Sequence, residues 1–449
     1  MESFIVTGSN IRRVEQETVL PVTVIDIEEF DLRGASTMSE MFESLSQSAP
    51  PALSELNVVG QDARGDNVSI DLRGLGSGST LTLINGRRMA PHPISQAESG
   101  TPTLAANINS VPSALLARTE ILRDGASAIY GSDATAGVIN NILSRRYIGT
   151  TLTGRATMTQ DGGGNEYRAT VAWGKLYHRG KTHLSAAIDF FHRDALTTQD
   201  RWWSRDANLR NVRNIPAPWN GLPIADANGL VVRDNDFDNR SSITALGSWI
   251  RGLPTADGGF AGARPAANRG ISTTQPSPYL TLSAAGAFFL SPLADGTIGS
   301  RQTAPSRSVD GVEKDYFYNV NLGTSLANKT DRWQAATFVD HTFGGGVEFF
   351  SDVVLYRARS ILGRTPVGTD ATDEPNIAVA VNNPYNPFGS RFYHPQGLPN
   401  ADGTPRLVGD PAEVQFSPGV GTRVVDWENR RIEVTSTAYR SVIGLRGKL

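Results

Sequence analysis

The chain has 449 residues, 42 basic and 45 acidic side chains, a formal net charge of −3 and no cysteine. That length exceeds one ordinary hydrophobic core, so two or three structural units are expected. The even charge balance offers no electrostatic footprint for nucleic acid, and the missing cysteines exclude disulfides, thiolate metal sites and a thiol nucleophile.

No run approaches the roughly 18 to 20 apolar residues of a membrane helix, the richest being residues 284–290. Membrane strands remain open, because each needs only about 10 residues of alternating character. The 45 glycines and 25 prolines mark a turn-rich chain. Met1-Glu2-Ser3-Phe4 lacks the basic and apolar regions of a signal peptide, so any export signal is expected to have been removed or to lie upstream.

Short strands and helices are expected as far as about residue 148. Residues 17–26 are β-branched and strand-like. Thr37-Met38-Ser39-Glu40 has capping-box spacing before Met38, Met41, Phe42 and Leu45, which share one helical face. Residues 67–72 alternate Val68, Ile70 and Leu72, and residues 80–84 form a second strand closed by Asn85-Gly86, a type I′ hairpin signal. Ser110 and Pro112 predict a helix through Ala117; residues 120–123 lead into the turn Asp124-Gly125, and residues 138–143 form a last apolar strand. This segment reads as a compact α+β unit.

Beyond residue 150 the helical period disappears. Residues 150–159, 166–176 and 182–192 each carry one apolar and one polar face, as with Leu184, Ala186, Ile188 and Phe190 against His183, Ser185 and Asp189. Residues 332–342, 347–356 and 438–449 read similarly. Connections at residues 177–181 and 343–346 are tight, whereas those at 193–331 and 357–437 are very long. A membrane barrel pairs short periplasmic turns with long outer loops, while structureless loops of this size are rare in compact soluble domains. A soluble β-sandwich would instead put the apolar face against a second sheet.

Chemical motifs are sparse. The glycines of Gly74-Leu75-Gly76-Ser77-Gly78 run into a strand rather than opening a helix, so they do not cradle a phosphate. None of the six histidines has metal-ligand spacing, and no serine sits in a nucleophile elbow. Asp234, Asp236 and Asp238 alternate as calcium ligands might be arranged, but lack the glycine and terminal glutamate of an EF-hand. No catalytic residue, metal or cofactor is therefore expected. Trp202, Trp203, Trp219 and Trp249 lie in the first long loop, where they could stack on a ligand or pack the loop itself.

Two stretches together resemble the plug signatures of TonB-dependent receptors. One runs from Arg73-Gly74 to the hairpin Asn85-Gly86-Arg87-Arg88. The other is Glu120-Ile121-Leu122-Arg123-Asp124-Gly125 through Tyr130-Gly131 to Gly137-Val138-Ile139-Asn140, with Asp124 and Ala136 where the family often has glycine. Phe4-Ile5-Val6-Thr7-Gly8 is similar to a TonB box, an extended strip able to add a strand to a partner's sheet. The resemblance implies an N-terminal segment at 1–20, a plug at 21–148 and, at 149–449, the first part of an antiparallel transmembrane barrel, about six strands of about 22. It further implies a Gram-negative outer-membrane location, lipid and the periplasmic TonB protein as partners, and import of a siderophore, cobalamin, oligosaccharide or peptide. The plug arginines Arg73, Arg87, Arg88 and Arg123 are expected to face acidic or polar groups of the barrel lumen. A secreted carbohydrate-binding or carbohydrate-active β-sandwich using Trp202 and Trp203 is the rival reading.

Overall fold

The computed structural model describes residues 22–49, 65–93, 96–98, 101–123, 126–208, 318–366, 378–384, 386, 388–411 and 429–447. It also describes the short strand and bridge residues 224–225, 231–233, 240–241, 248–254, 260–261, 287–292, 298–301, 368–369, 413–416 and 422–423. The chain separates into two compact units, one of residues 1–200, 325–363 and 431–449 and one of residues 201–324 and 364–430.

In the first unit the front segment builds strand β1 (Val22–Asp26), helices α1 (Ile27–Leu32) and α2 (Met38–Glu43), and strands β2 (Thr80–Ile84), β3 (Arg87–Arg88), β4 (Leu116–Leu122) and β5 (Gly137–Leu143). The sheet order is β1-β4-β5-β2-β3. Central β2 and β5 run parallel and are buried on both faces, so that even Thr80, Thr82, Asn140 and Asn141 are buried. Thr37 caps α2 by accepting the Glu40 amide at 3.3 Å, and the Glu40 carboxylate reaches back to the Ser36 amide at 2.6 Å. Met38, Met41, Phe42 and Leu45 are all buried, as their shared face requires.

Two expectations need correction. The helix expected from Ser110 to Ala117 is instead two 3-10 turns, Ile108–Ser110 and Ser113–Leu115, because Leu116 already belongs to β4. Of residues 67–72 only Asp71–Leu72 pairs as a strand, with Ser48–Ala49. Val68 is diverted: its amide donates to Asn107 Oδ1 and its carbonyl accepts from Ile108.

Six long strands follow: β6 (Gly149–Thr157), β7 (Glu166–Tyr177), β8 (Thr182–Arg193), β9 (Lys329–Thr342), β10 (Glu348–Arg364) and β11 (Arg430–Arg446), in sequential order in one sheet. The pairs from β6 to β10 are antiparallel, hydrogen-bonded throughout. This sheet is here called the wall. Its two faces differ sharply. Leu152, Val171, Ile188, Trp333, Leu355 and Ile443 are exposed on one face, and the ring of Phe190 lies tilted against Trp333 with centroids 4.4 Å apart. Residues between them, such as Ala172, Ala187, Ala336, Phe338 and Val354, are buried in the same core cluster as Met38, Ile108, Val111 and Ile139 of the front segment. A sandwich would bury Leu152 and Ile188 under a second sheet; their exposure removes that reading.

The exposed apolar face has a polar border at each end. Lys175 and Tyr177 lie near the tight turn of β7–β8. His192, Asp331 and the Arg359–Glu433 pair lie toward the long connections, on the exposed side of β8 to β11. On β7 the outward apolar band runs from Tyr167 to Trp173, roughly 15 Å high at the usual strand tilt, before Lys175. Strands β10 and β11 extend beyond the expected 347–356 and 438–449 because backbone pairing continues above that band, where the exposed residues become Arg357, Arg359, Arg431 and Glu433.

In the second unit the expected long loops carry strands of their own. Ser248–Pro254 pairs with Ala287–Pro292 from the first loop and with Glu413–Phe416 from the second, so the two loops are joined by backbone hydrogen bonds.

Candidate functional site

The signature residues turn out to be folding determinants. Asn85 and Gly86 both have positive φ, 49° and 74°, as a type I′ turn demands. Asn140 closes that turn by accepting the Gly86 amide at 2.9 Å, and Asn85 accepts the Leu143 amide at 2.8 Å. Arg73, itself at φ 61°, precedes Gly74 in a tight turn and donates to the Thr135 carbonyl at 3.1 Å. Arg88 pairs with Asp133 at 2.5 Å and also donates to the Tyr130 carbonyl, just before Gly131 at φ 87°. That guanidinium holds the Asp133 carboxyl below its ordinary range. At Gly137 an added Cβ would stand 2.5 Å from the Leu122 carbonyl, so β4 and β5 meet only if this residue is glycine. Arg123 donates to Thr23 at 3.0 Å and clamps β1 onto the end of β4.

Arg73, Arg88 and Arg123 therefore bind within the front segment, contrary to the expectation that they face the wall. Arg87 alone of the four approaches it, 5.4 Å over the ring of Phe350. The contacts that do bridge to the wall come from residues that carry no signature. Asp66, wholly buried, accepts from Arg332 Nε of β9 at 2.6 Å, again from its Nη2, and from the Tyr356 hydroxyl of β10 at 2.7 Å. Asn107 donates to the same hydroxyl at 3.2 Å, and Gln334 donates to the Asn109 and Val111 carbonyls. The 3-10 turn at 108–110 presents these groups because Asn107 Oδ1 accepts the Asn109 amide, fixing the backbone in an Asx turn.

A second bridge follows β5. Arg145 donates to Asp340 at 2.8 Å and to Asp352, and lies 5.6 Å over Phe338 and 5.5 Å over Phe350. The segment behind it crosses the wall closely: Ser185 donates to the Arg145 carbonyl at 2.8 Å, and a Cβ on Gly174 would lie 1.9 Å from the Tyr147 carbonyl. A third bridge runs the other way. Wall residues Arg155 and Arg168 donate to the carbonyls of Gly34, Ala35 and Ser36 in the turn between α1 and α2. Arg168 is oriented by Asp189 at 2.7 Å.

These bridges combine firm register with low net adhesion. Removing one partner of a buried ion pair costs about 3 to 5 kcal/mol, yet separating both partners into water returns their hydration, so the intact pair adds little net binding. Small inner residues such as Ala172, Ser185, Ala187 and Ala336 give the wall a shallow surface.

The remaining candidates are scattered. Phe4, Ile5, Val6, Thr7, Gly8, Gly125, Trp219 and the loop from Asp234 to Asp238 lie outside the described residues. Trp202 and Trp203 are 67% and 50% exposed, just after the 3-10 turn Thr198–Asp200. Trp249 sits in the strand Ser248–Pro254. Among the described residues no group of three or more metal-ligating side chains occurs.

Residues 14–138 match the family model described as the TonB-dependent receptor plug domain. Among solved structures, the chain is similar to the ferric enterobactin receptor PfeA of Pseudomonas aeruginosa, at 14% identity and a TM-score of 0.36 over 80% of this chain and 44% of that one. It is also similar to the siderophore receptor PirA of Acinetobacter baumannii, at 15% identity and a TM-score of 0.34 over 87% and 43%. A third is the ferric-catecholate import receptor Fiu of E. coli, at 12% identity and a TM-score of 0.31 over 78% and 40%. The chain thus spans less than half the length of these proteins. Residues 14–138 therefore match a TonB-dependent receptor plug domain, and six long strands of one sheet follow them.

Proposed function

We propose that the protein imports a scarce ligand by energy-coupled rearrangement of the plug, without covalent chemistry. The cargo is a siderophore-bound iron, cobalamin, an oligosaccharide or a peptide, captured by the long outer loops, with Trp202, Trp203, Trp219 and Trp249 as stacking surfaces. TonB takes hold of the strip Phe4 to Gly8 by strand addition. The observation that carries this reading is the set of buried ion pairs between plug and wall, above all Asp66–Arg332, whose side chains are 0% and 6% exposed.

A pull on the N-terminal segment reaches β1 first. This is an edge strand held by pairing from Val22–Leu122 to Asp26–Arg118 and by the Arg123–Thr23 clamp. Its release frees α1 and the turn at residues 33–36, whose carbonyls Arg155 and Arg168 hold. Pairs can then break one at a time instead of together, which lowers the force needed.

The test is Val6→Pro in the whole receptor, since proline lacks the amide that strand addition requires. Growth is followed under iron limitation and on single polysaccharides, whichever condition induces the receptor. Import-dependent growth should disappear with surface receptor levels unchanged. Undiminished import by the variant, persisting after collapse of the proton gradient, would refute the reading.

A further inference from the structure

The tight connection between β7 and β8 carries charge of one sign. From Tyr167 to Ile188 the chain contains no aspartate or glutamate, while Lys175, Arg179 and Lys181 are all exposed around this turn. Among the described residues, neither Arg179 nor Lys181 has an ion-pair or side-chain hydrogen-bond partner, and Lys175 lies 5.6 Å over the ring of Tyr177. The opposite border of the wall differs: there acids accompany the bases, with Arg359 paired to Glu433 and His192 to Asp331.

The turn is held in one shape. His178 and Arg179 have φ of 51° and 59°, a left-handed conformation uncommon for residues with a Cβ, and Gly180 follows at 87°. The Thr182 hydroxyl braces it, 3.1 Å from His178 Nδ1 and 2.7 Å from His341 Nδ1 on β9. The Thr342 amide donates to the Lys181 carbonyl at 2.8 Å, which sets the uncharged β9–β10 turn alongside, with Phe343 and Val347 exposed. Strands β7, β8 and β9 each have a neighbour on both sides, so this feature does not lie at an open edge of the wall.

The outward apolar residues of β7 end at Trp173, just before Lys175, and those of β8 begin at Leu184, just after Lys181 and Thr182. The cations thus stand at the level where an apolar membrane interior gives way to headgroups. Lipid phosphates are the anions held at that level, and basic side chains beside an anionic leaflet attract them. A guanidinium offers such a phosphate a fork of donors.

We propose that the β7–β8 turn seats the phosphate of an anionic membrane phospholipid between Arg179 and Lys181, with Phe343 against the glycerol and upper acyl chain. The proposal rests on the reading of the wall's free face as lipid-facing.

The whole receptor is reconstituted into phosphatidylcholine vesicles containing a trace of photoactivatable phosphatidylglycerol or of photoactivatable phosphatidylcholine of the same chain length. Crosslinked residues are mapped by mass spectrometry. Residues 175–182 and 342–347 should be labelled at least about fivefold more by phosphatidylglycerol. Arg179→Gln with Lys181→Gln should bring the two lipids to parity there and leave labelling of residues 184–190 unchanged. Arg179→Lys should keep part of the preference, since it retains the charge without the fork. Equal labelling by both lipids in the wild type, a preference that the double variant retains, or one that inorganic phosphate abolishes at fixed ionic strength would each overturn the proposal while labelling at 184–190 upholds the wall. Absence of labelling at 184–190 by either lipid would overturn the lipid-facing wall and the proposal with it.

Discussion

In the plug, β2 and β5 are buried on both faces and every large apolar side chain of the cluster Leu81, Leu83, Leu122 and Val138 is hidden. In the wall, β8 buries His183, Ser185, Ala187, Asp189 and Phe191 while exposing Ile188 on the other side. The apolar and polar faces are thus exchanged relative to a soluble sheet: the face against protein is largely small or polar, and the free face is greasy. A sheet that shows apolar side chains on its free face and sets charges into its covered face is matched to lipid on the free side. The difference teaches that the contact between plug and wall sets paired charges into a shared apolar cluster.

The largest test of that contrast is Asp66→Ala. It leaves Arg332 buried and unpaired, which should cost about 3 to 5 kcal/mol of local stability. Amide hydrogen exchange at residues 66–72 and 107–111 of the whole receptor should accelerate roughly a hundredfold or more. The double variant Asp66→Leu with Arg332→Met should return most of the protection, since a buried pair replaced by apolar groups is nearly neutral. Unchanged exchange in Asp66→Ala would mean that the pair does not seat the plug.

Much of the wall was legible because a half-buried strand writes its period of two directly into the residues: Thr182 to Arg193 is found almost to the residue. Reading stopped short where the outer environment changed. Beyond Tyr356 the free face passes from Leu355 to Arg357 and Arg359, so the apolar alternation ends while the hydrogen-bonded strand continues to Arg364. Phe350 and Tyr356 confuse the pattern for a related reason: both are buried on the protein side.

The coupling contacts were not legible at all. Asp66 and Arg332 are 266 residues apart, and Arg145 reaches carboxylates 195 and 207 residues away. No local period marks such partners. The signature arginines drew attention because they recur in a family pattern, yet Arg73, Arg88 and Arg123 serve turns and strand ends inside the plug.

A smaller effect lies at the rim of the contact. Burial first, and then the nearby carboxylate of Glu166 on β7, raise the pKa of Glu40 above its ordinary 4.5. A carboxyl raised on folding favours the folded form at low pH, and that contribution is lost as pH rises through 4.5 toward the raised value. Glu40→Gln keeps an acceptor for the Ser36 amide and removes the charge. Near neutral pH the variant should protect residues 36–43 modestly better than wild type, and its protection should not vary between pH 4 and pH 7. Equal pH dependence in both proteins would show that Glu40 is solvated instead of pressed against the wall.

The most direct measurement uses the absence of cysteine from these 449 residues, with any cysteine elsewhere in the receptor first replaced by serine. Nitroxide labels placed by Leu152→Cys, Val171→Cys and Ile188→Cys in the membrane-reconstituted receptor report access to oxygen, which partitions into lipid, and to a water-soluble nickel chelate. A label at Ala187→Cys serves as the inward-facing control. The account predicts high oxygen and negligible nickel access at 152, 171 and 188, and little access of either kind at 187. Nickel access at 188, or burial of all four positions, would contradict a wall that faces lipid on one side and the plug on the other.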